Sequence, residues 1–417
     1  MCSSATFTRR QALAGAASLP IAMSWVDPLR ALEFGGLRGK LDAAITSGRV
    51  PGLVALIARG PDVWTHVAGL RDLDRATPMT RDTVFAVASI GKPLTAVAAL
   101  MLVQDGIIEL DDPVDPWLPE LIARRVLRHP DGPLDDTLPA TRAITLRDLL
   151  SMRMGLGVIL ADPAEVPIAG QMQALDVAPG PTLFSRDADT YMARLGSLPL
   201  VHQPGDGWHY HTGLDVAGIL VTRASGMSLE EFLRERVCAP LGMTDTGFSG
   251  PADRLATQYW PDPDTGALDQ WNSASGESFA DPPSFESGGG GHVSTVDDFM
   301  AFGQFLLAGG MVDGQQLLDA ALVDEMLRDQ ITPAQKAASP WFPADFWDTH
   351  GWGLGVAMRT APQAAKGRFG WWGGFGTSFW CDPATDTVAA LFTQRMMTGA
   401  DDIALSDAFT TAAFDAG

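Results

Sequence analysis

The stretch Val84–Gly106, VFAVASIGKPLTAVAALMLVQDG, is apolar almost throughout, yet it carries Lys92 three residues after Ser89. Lysine is scarce in this chain: of 29 lysines and arginines, only Lys40, Lys92, Lys336 and Lys366 are lysines. Arginine is the default cation and would serve any solvated or salt-bridging role, but it cannot give up its proton. A desolvated lysine can, and so can act as a base. Ser89 falls where a helix should begin, with Pro93 still in its first turn, Val97, Leu100 and Met101 at helical spacing, and Gly106 as a stop. A serine there points its oxygen at unpaired backbone N–H groups, and the i, i+3 spacing brings Lys92 onto the same face, in reach of the Ser89 proton. S-x-x-K alone is a short pattern, and its plain structural reading is a capped helix with a snorkelling lysine. No other lysine here has a serine three residues before it, which favours the catalytic reading.

Upstream, RGKLDAAITSG (38–48) predicts a helix ending near Gly48, and GLVALIARGPDVWTHVAG (52–69) predicts two strands around a Gly-Pro-Asp turn. Downstream, from about Asp111 to Gly290, Pro- and Gly-rich loops alternate with the helical patterns TLRDLLSM, DTYMARLG, TGLDVAGILVTRASG and SLEEFLRERV. Another helix, STVDDFMAFGQFLLAGG, is followed by an aromatic loop, SPWFPADFWDTHGW, and by strand-like GLGVAM, FGWWGG, TSFWCD and TVAALFTQ. These last strands are expected to share a sheet with the N-terminal hairpin. The expected organisation is a sheet unit of residues 32–88 plus 292–417, with a helical unit of residues 89–291 inserted.

The first 31 residues hold paired Arg9 and Arg10 and an apolar run from about Gln11 to Met23, which resembles a twin-arginine export signal and implies a periplasmic or secreted protein. That run is too short to span a bilayer, and no later one is long enough, so membrane insertion is not expected. With 417 residues and 46% hydrophobic content the chain can bury a sizeable core. A net charge of -21 argues against nucleic acid or anionic membrane as partner, since such affinity comes from clustered Lys and Arg. Cys2, Cys238 and Cys381 are too few for a disulfide framework and lack C-x-x-C spacing.

Tyrosine is rarer than lysine: only Tyr191, Tyr210 and Tyr259 occur. In HQPGDGWHYHTGLDVAG, Tyr210 precedes a helix whose cap would be Thr212, with Asp215 three residues on in a capping-box-like arrangement. A phenol beside a buried ammonium can lose or relay a proton; the plainer reading is a half-buried core tyrosine. In RFGWWGGFGTSFWCDP, Gly373, Gly374 and Gly376 remove side chains where another backbone or a substrate must come close, and a backbone N–H there can complete an oxyanion hole with that of Ser89. His209 and His211 have i, i+2 spacing but no third metal ligand, SGGGGH lacks the ending of a phosphate loop, and no G-x-S-x-G elbow is present. Metal, nucleotide and α/β-hydrolase readings are therefore disfavoured. Trp341, Phe342, Phe346, Trp347 and Trp352 cluster before the last strands and are candidates to line a pocket for an apolar acyl or alcohol group.

These three pieces, in this order, resemble the serine β-lactamase and penicillin-binding-protein superfamily, and more narrowly its class C-like esterase branch, the family VIII carboxylesterases. ITLRDLLSMRMGLG, APLGMTDTGF, SGGGGHVSTVDDF and GTSFWCDP support the likeness, which runs from about Pro51 to Gln394. It implies an α/β (α+β) fold of the β-lactamase/transpeptidase type: an antiparallel sheet flanked by helices and built from both chain ends, an inserted helical domain, and the site at their junction. It also implies catalytic Ser89 and Lys92, the Y-x-N tyrosine at Tyr210, the last motif at Trp372, Gly373 and Gly374, and an oxyanion N–H at Phe375. Two departures bear on substrate: Thr212 replaces the asparagine of Y-x-N, and Trp372-Gly373-Gly374 replaces Lys-Thr-Gly. The second removes a cation for a substrate carboxylate, the first an amide able to bind an acylamino group. The expectation is a hydrolase of small carboxylic esters that needs no metal or organic cofactor, with acyl transfer or β-lactam and amide hydrolysis as rivals on the same acyl-enzyme.

Overall fold

The computed structural model describes residues 34–180, 183–273, 275–339, 345–362, 365–399 and 402–415; the candidate leader, Trp341 and Phe342 lie outside them. Strand β1 (Gly52–Arg59) is an unbroken apolar run with only its last residue partly exposed, the signature of a strand covered on both faces. It turns through Gly60, at φ +53°, and Pro61 into β2 (Asp62–Asp72), with Arg59 opposite Asp62, so the hairpin forms where the Gly-Pro-Asp signal lies. Strands β3 (Thr77–Pro78), β4 (His350–Trp352), β5 (Ala357–Arg359), β6 (Phe369–Gly373), β7 (Thr377–Asp382) and β8 (Thr387–Thr393) complete an eight-stranded sheet in the order β4-β5-β6-β7-β8-β1-β2-β3. Every neighbouring pair is antiparallel, and the β1–β8 ladder, with Leu53 opposite Thr393, joins the two ends of the chain.

One expected strand moves. GLGVAM contributes only its end to β5, because Gly355 takes φ +74° and the Gly353 N–H closes a turn on Val356 O at 2.8 Å. The edge strand β4 comes instead from the end of the aromatic loop.

Of the helices α1 (Gly35–Thr46), α2 (Lys92–Gln104), α3 (Thr212–Ser225), α4 (Val296–Leu307) and α5 (Ala404–Asp415), α1, α4 and α5 pack on the sheet. Successive residues of β7 assign the faces. Phe379 meets Phe299 of α4, with ring centroids 5.2 Å apart, whereas Trp380 lies under the Arg359 guanidinium, which reaches Asp407 of α5 at 3.8 Å. Helix α2 is buried from Lys92 through Leu102 and α3 from Thr212 through Val221, so both are interior helices that pack on each other. Apart from α3, the chain between α2 and α4 forms shorter helices and small hairpins. The TLRDLLSM pattern becomes Leu146–Leu150 under a Thr145/Asp148 capping box, and SLEEFLRERV becomes Leu229–Leu233 followed by one π-turn. Among the described residues no helix is long and apolar enough to cross a membrane.

The sheet grips the segment before Ser89. Thr377 Oγ1 donates to Val87 O at 2.8 Å, and a Cβ on Gly373 would stand 2.3 Å from that same carbonyl and 2.1 Å from Thr377 Oγ1. Backbone cannot yield there as a flexible side chain would. Gly373→Ala is expected to destabilise the protein by about 1–3 kcal/mol through overpacking, read as a lower urea midpoint; an unchanged midpoint would mean that this approach tolerates a methyl group.

Candidate active site

Phe85–Ala86 pairs with Val293–Ser294, and the chain then bends sharply: Ala88 takes φ +49°, a left-handed conformation that costs a non-glycine residue about 1 kcal/mol or more. Ser89 follows in a single 3-10 turn, Ala88–Gly91, and α2 begins only at Lys92. The serine thus stands one tight turn ahead of the α-helix rather than at its cap. Ser89 is partly exposed while Ala88, Ile90, Gly91 and Lys92 are buried, so the bend delivers a hydroxyl to the surface and a lysine to the interior.

Lys92 is fully buried. Its Nζ lies 2.8 Å from Ser89 Oγ, 3.3 Å from His211 Nδ1 and 4.6 Å from the centre of the Tyr210 ring, and it donates to Gly289 O. Burial brings its pKa down to about 7, with the negative charge of Asp215 opposing the fall. Free amine is therefore substantially populated at neutral pH.

Tyr210 comes from the bend before α3. His211 sits at φ +83°, ψ −67°, with the Thr212 N–H on Tyr210 O at 3.2 Å, a γ-turn of the rarer, strained hand. That bend brings the phenol to Ser89, and Trp371 Nε1–H donates to its oxygen. Burial pushes the phenol well above its ordinary pKa despite the hydrogen bonds with Ser89 and Trp371, so it is a neutral hydroxyl, suited to relay a proton rather than to act as a phenolate. Its ring packs against Trp208, Trp352 and Trp371 at centroid distances of 5.7, 5.8 and 5.6 Å.

The expected capping pair separates. Thr212 is the first residue of α3, not its cap, and is wholly buried, packed at the Tyr191 hydroxyl. Asp215 makes no capping box. Its Oδ1 accepts from Ser287 Oγ at 2.5 Å and from Gly289 N at 2.9 Å, and its Oδ2 lies 3.2 Å from His211 Nε2. Burial alone would raise its pKa, but the contacts from His211, Ser287 and Gly289 prevail and hold it below the usual carboxylate range. His211 is kept neutral by burial and by Lys92. His209 instead stacks on His202 at 4.8 Å, so the two histidines take different partners.

The last motif is displaced by one residue where side chains are concerned. Trp371 and Trp372 take different partners although their rings lie 5.2 Å apart: Trp371 meets Tyr210, while Trp372 lies against Trp380 at 5.0 Å and His350 at 5.6 Å, with the Arg359 guanidinium 5.8 Å above it. Trp372 therefore does not offer its indole to a group at Ser89, and Trp371 is the indole beside the hydroxyls. The Phe375 side chain is buried against Trp271 and Phe279, at 5.3 and 5.6 Å, leaving its backbone in the turn Gly374–Gly376, next to the strand end that touches Val87. Of the aromatic loop, Trp347 and Trp352 pack on Trp208 and Phe346 on Trp371, at 5.0, 5.4 and 5.7 Å.

Trp371 and the Gly289 carbonyl were not singled out from sequence, and His211 and Asp215 drew notice there only as a disfavoured metal ligand and a helix-capping residue. WWGG places two indoles side by side and does not announce which of them reaches Tyr210. Nothing local marks Gly289, whose role is played by a carbonyl.

The family described as Beta-lactamase matches residues 37–409. Esterase EstB of Burkholderia gladioli is 32% identical over 407 residues, covering 90% of this chain and 96% of its own. An uncharacterized Mycobacterium tuberculosis protein is 37% identical over 374 residues, covering 86% of this chain and 88% of its own. Among solved structures, EstCE1, described as a hydrolase with promiscuous acyltransferase activity, superposes with a TM-score of 0.76 at 26% identity, covering 93% of this chain and 99% of that one.

Proposed function

The chain belongs to the β-lactamase family, and from that premise we propose that it hydrolyses carboxylic esters through an acyl-enzyme on Ser89. The observation that carries this reading is the partly exposed Ser89 hydroxyl 2.8 Å from a fully buried lysine whose pKa has fallen to about 7. Ser89 Oγ attacks the ester carbonyl as its proton passes to the Lys92 amine. The negative charge gathers on the carbonyl oxygen, where the N–H groups of Ser89 and Phe375 receive it. Tyr210 relays a proton to the departing alcohol, and the C–O bond breaks to leave acyl-Ser89. Water then attacks the acyl carbon, gives up its proton through the same groups, and releases the acid and the serine.

Esters are favoured over β-lactams by what β6 lacks. Neither Trp371 nor Trp372 can offer a cation to a substrate carboxylate, a contact worth about 1.5–3 kcal/mol or ten- to a hundredfold. The indole of Trp371 beside Tyr210 suits a neutral acyl or alkyl group instead. Acyl transfer is the second reading, supported by the activity named for EstCE1. It needs only an alcohol in place of the deacylating water.

A base must be unprotonated to act, so kcat/KM for a nitrophenyl ester should rise with pH along an acidic limb centred near pH 7, where Lys92 loses its proton. Lys92→Arg keeps the charge but cannot deprotonate, and should lose about a hundred- to ten-thousandfold. An organophosphonate should transfer its phosphonyl group to Ser89 alone, its leaving group departing. A label on another serine, or a Lys92→Arg enzyme with most of its kcat, would sink the mechanism.

Substrate choice is tested by comparing short nitrophenyl esters with penicillins and a chromogenic cephalosporin. The esters should win in kcat/KM by about a hundredfold, the upper end of the missing contact. Equal values would restore β-lactam hydrolysis as the leading activity.

A further inference from the structure

A neutral lysine amine has two hydrogens and one lone pair in tetrahedral directions, and it can serve as a base toward Ser89 only if that lone pair faces Oγ. Three groups surround Lys92 Nζ: Ser89 Oγ, the Gly289 carbonyl and His211 Nδ1. A carbonyl can only accept, so it takes one hydrogen. The role of His211 depends on its tautomer. The negative charge of Asp215, a buried carboxylate 3.2 Å from Nε2, favours the ring proton on Nε2, and in that tautomer Nδ1 is a bare acceptor for the second hydrogen. With both hydrogens engaged, the remaining direction belongs to Ser89.

We propose that His211 is a positioning residue for Lys92, its Nδ1 and the Gly289 carbonyl together fixing the amine so that its lone pair points at Ser89. The proposal rests on the reading of Ser89 and Lys92 as nucleophile and base, and adds to it a residue that touches neither the ester nor the serine.

Two further features fit this role. His211 holds a strained γ-turn conformation at φ +83°, where a glycine would sit without cost, so a side chain is retained against the preference of the backbone. The glycine run closes on the same ring. A Cβ on Gly289 would stand 2.8 Å from both His211 Nε2 and Asp215 Oδ1, so the backbone that supplies the carbonyl can come this close only without a side chain. When Lys92 takes the serine proton, the resulting ammonium has three hydrogens and three acceptors already in place: Gly289 O, His211 Nδ1 and the Ser89 oxygen. No regrouping is needed. The other ionisable groups around this cluster are Asp215, Tyr210 and His292, the last packed behind Gly91.

The test compares His211→Gly with His211→Asn. Glycine suits the backbone and removes the acceptor. Asparagine tolerates positive φ and places an amide oxygen near the position of Nδ1. In acylation measured by nitrophenol release, His211→Gly should lose ten- to a hundredfold in kcat with KM within about threefold and a cooperative unfolding transition retained, while His211→Asn should recover most of the loss. Full kcat in His211→Gly, or equal losses in both variants, would overturn the positioning role. The outcomes separate from failure of the underlying reading: if phosphonate does not label Ser89 in the unmodified protein, the nucleophile assignment fails, whereas labelling of Ser89 with an unaffected His211→Gly removes only His211.

Discussion

A primary amine held out of water is the constraint on which this site depends. An ammonium in the interior of α2 would be costly, and the chain meets that cost by lowering the lysine's pKa and by surrounding Nζ with acceptors rather than with a single carboxylate. Asp215 is near enough to be felt but is separated from Lys92 by the His211 ring. A carboxylate in direct contact would pin the ammonium in its charged form. Distance through an imidazole keeps the lysine between its two states at neutral pH.

The fold supplies the rigidity that this arrangement requires. Helices α2 and α3, each buried over most of its length, hold Lys92 on one side and His211 and Asp215 on the other, and the strand end at Gly373 presses on Val87. Two non-glycine residues in the left-handed region, Ala88 and His211, lie immediately before Ser89 and immediately after Tyr210. Strain of this kind persists only where surrounding packing overdetermines it. Here it aims two hydroxyls at each other from elements far apart in the chain.

The aromatic content has a similar logic. Trp208, Trp352 and Trp371 pack around the Tyr210 ring, which keeps some exposure, and this burial raises the phenol's pKa while one indole N–H satisfies its oxygen. A tyrosine so placed stays protonated, a neutral hydroxyl beside a titrating amine. Environment thus sets the two groups' protonation apart.

Much of this was legible along the chain, because the signals are local. The apolar run of β1 with its Gly-Pro turn, the S-x-x-K spacing on a buried helix and the lone tyrosine ahead of α3 each follow from neighbours a few residues apart, and the lysine's rarity marked it as chosen for titration. The resemblance carried by those motifs foretold the antiparallel sheet joined from both ends. Tertiary structure alone decided the rest. Which of two adjacent tryptophans reaches Tyr210 is decided by the rings packed on each, Trp352 and Phe346 on Trp371, Trp380 and His350 on Trp372. Asp215 has the spacing of a helix cap, but Ser287 and Gly289 draw its carboxylate away, partners more than seventy residues distant. The carbonyl that holds the lysine belongs to a glycine whose own residue type carries no chemistry. Main-chain groups and long-range partners have no local signature, so these features exist only once the chain has closed around Lys92.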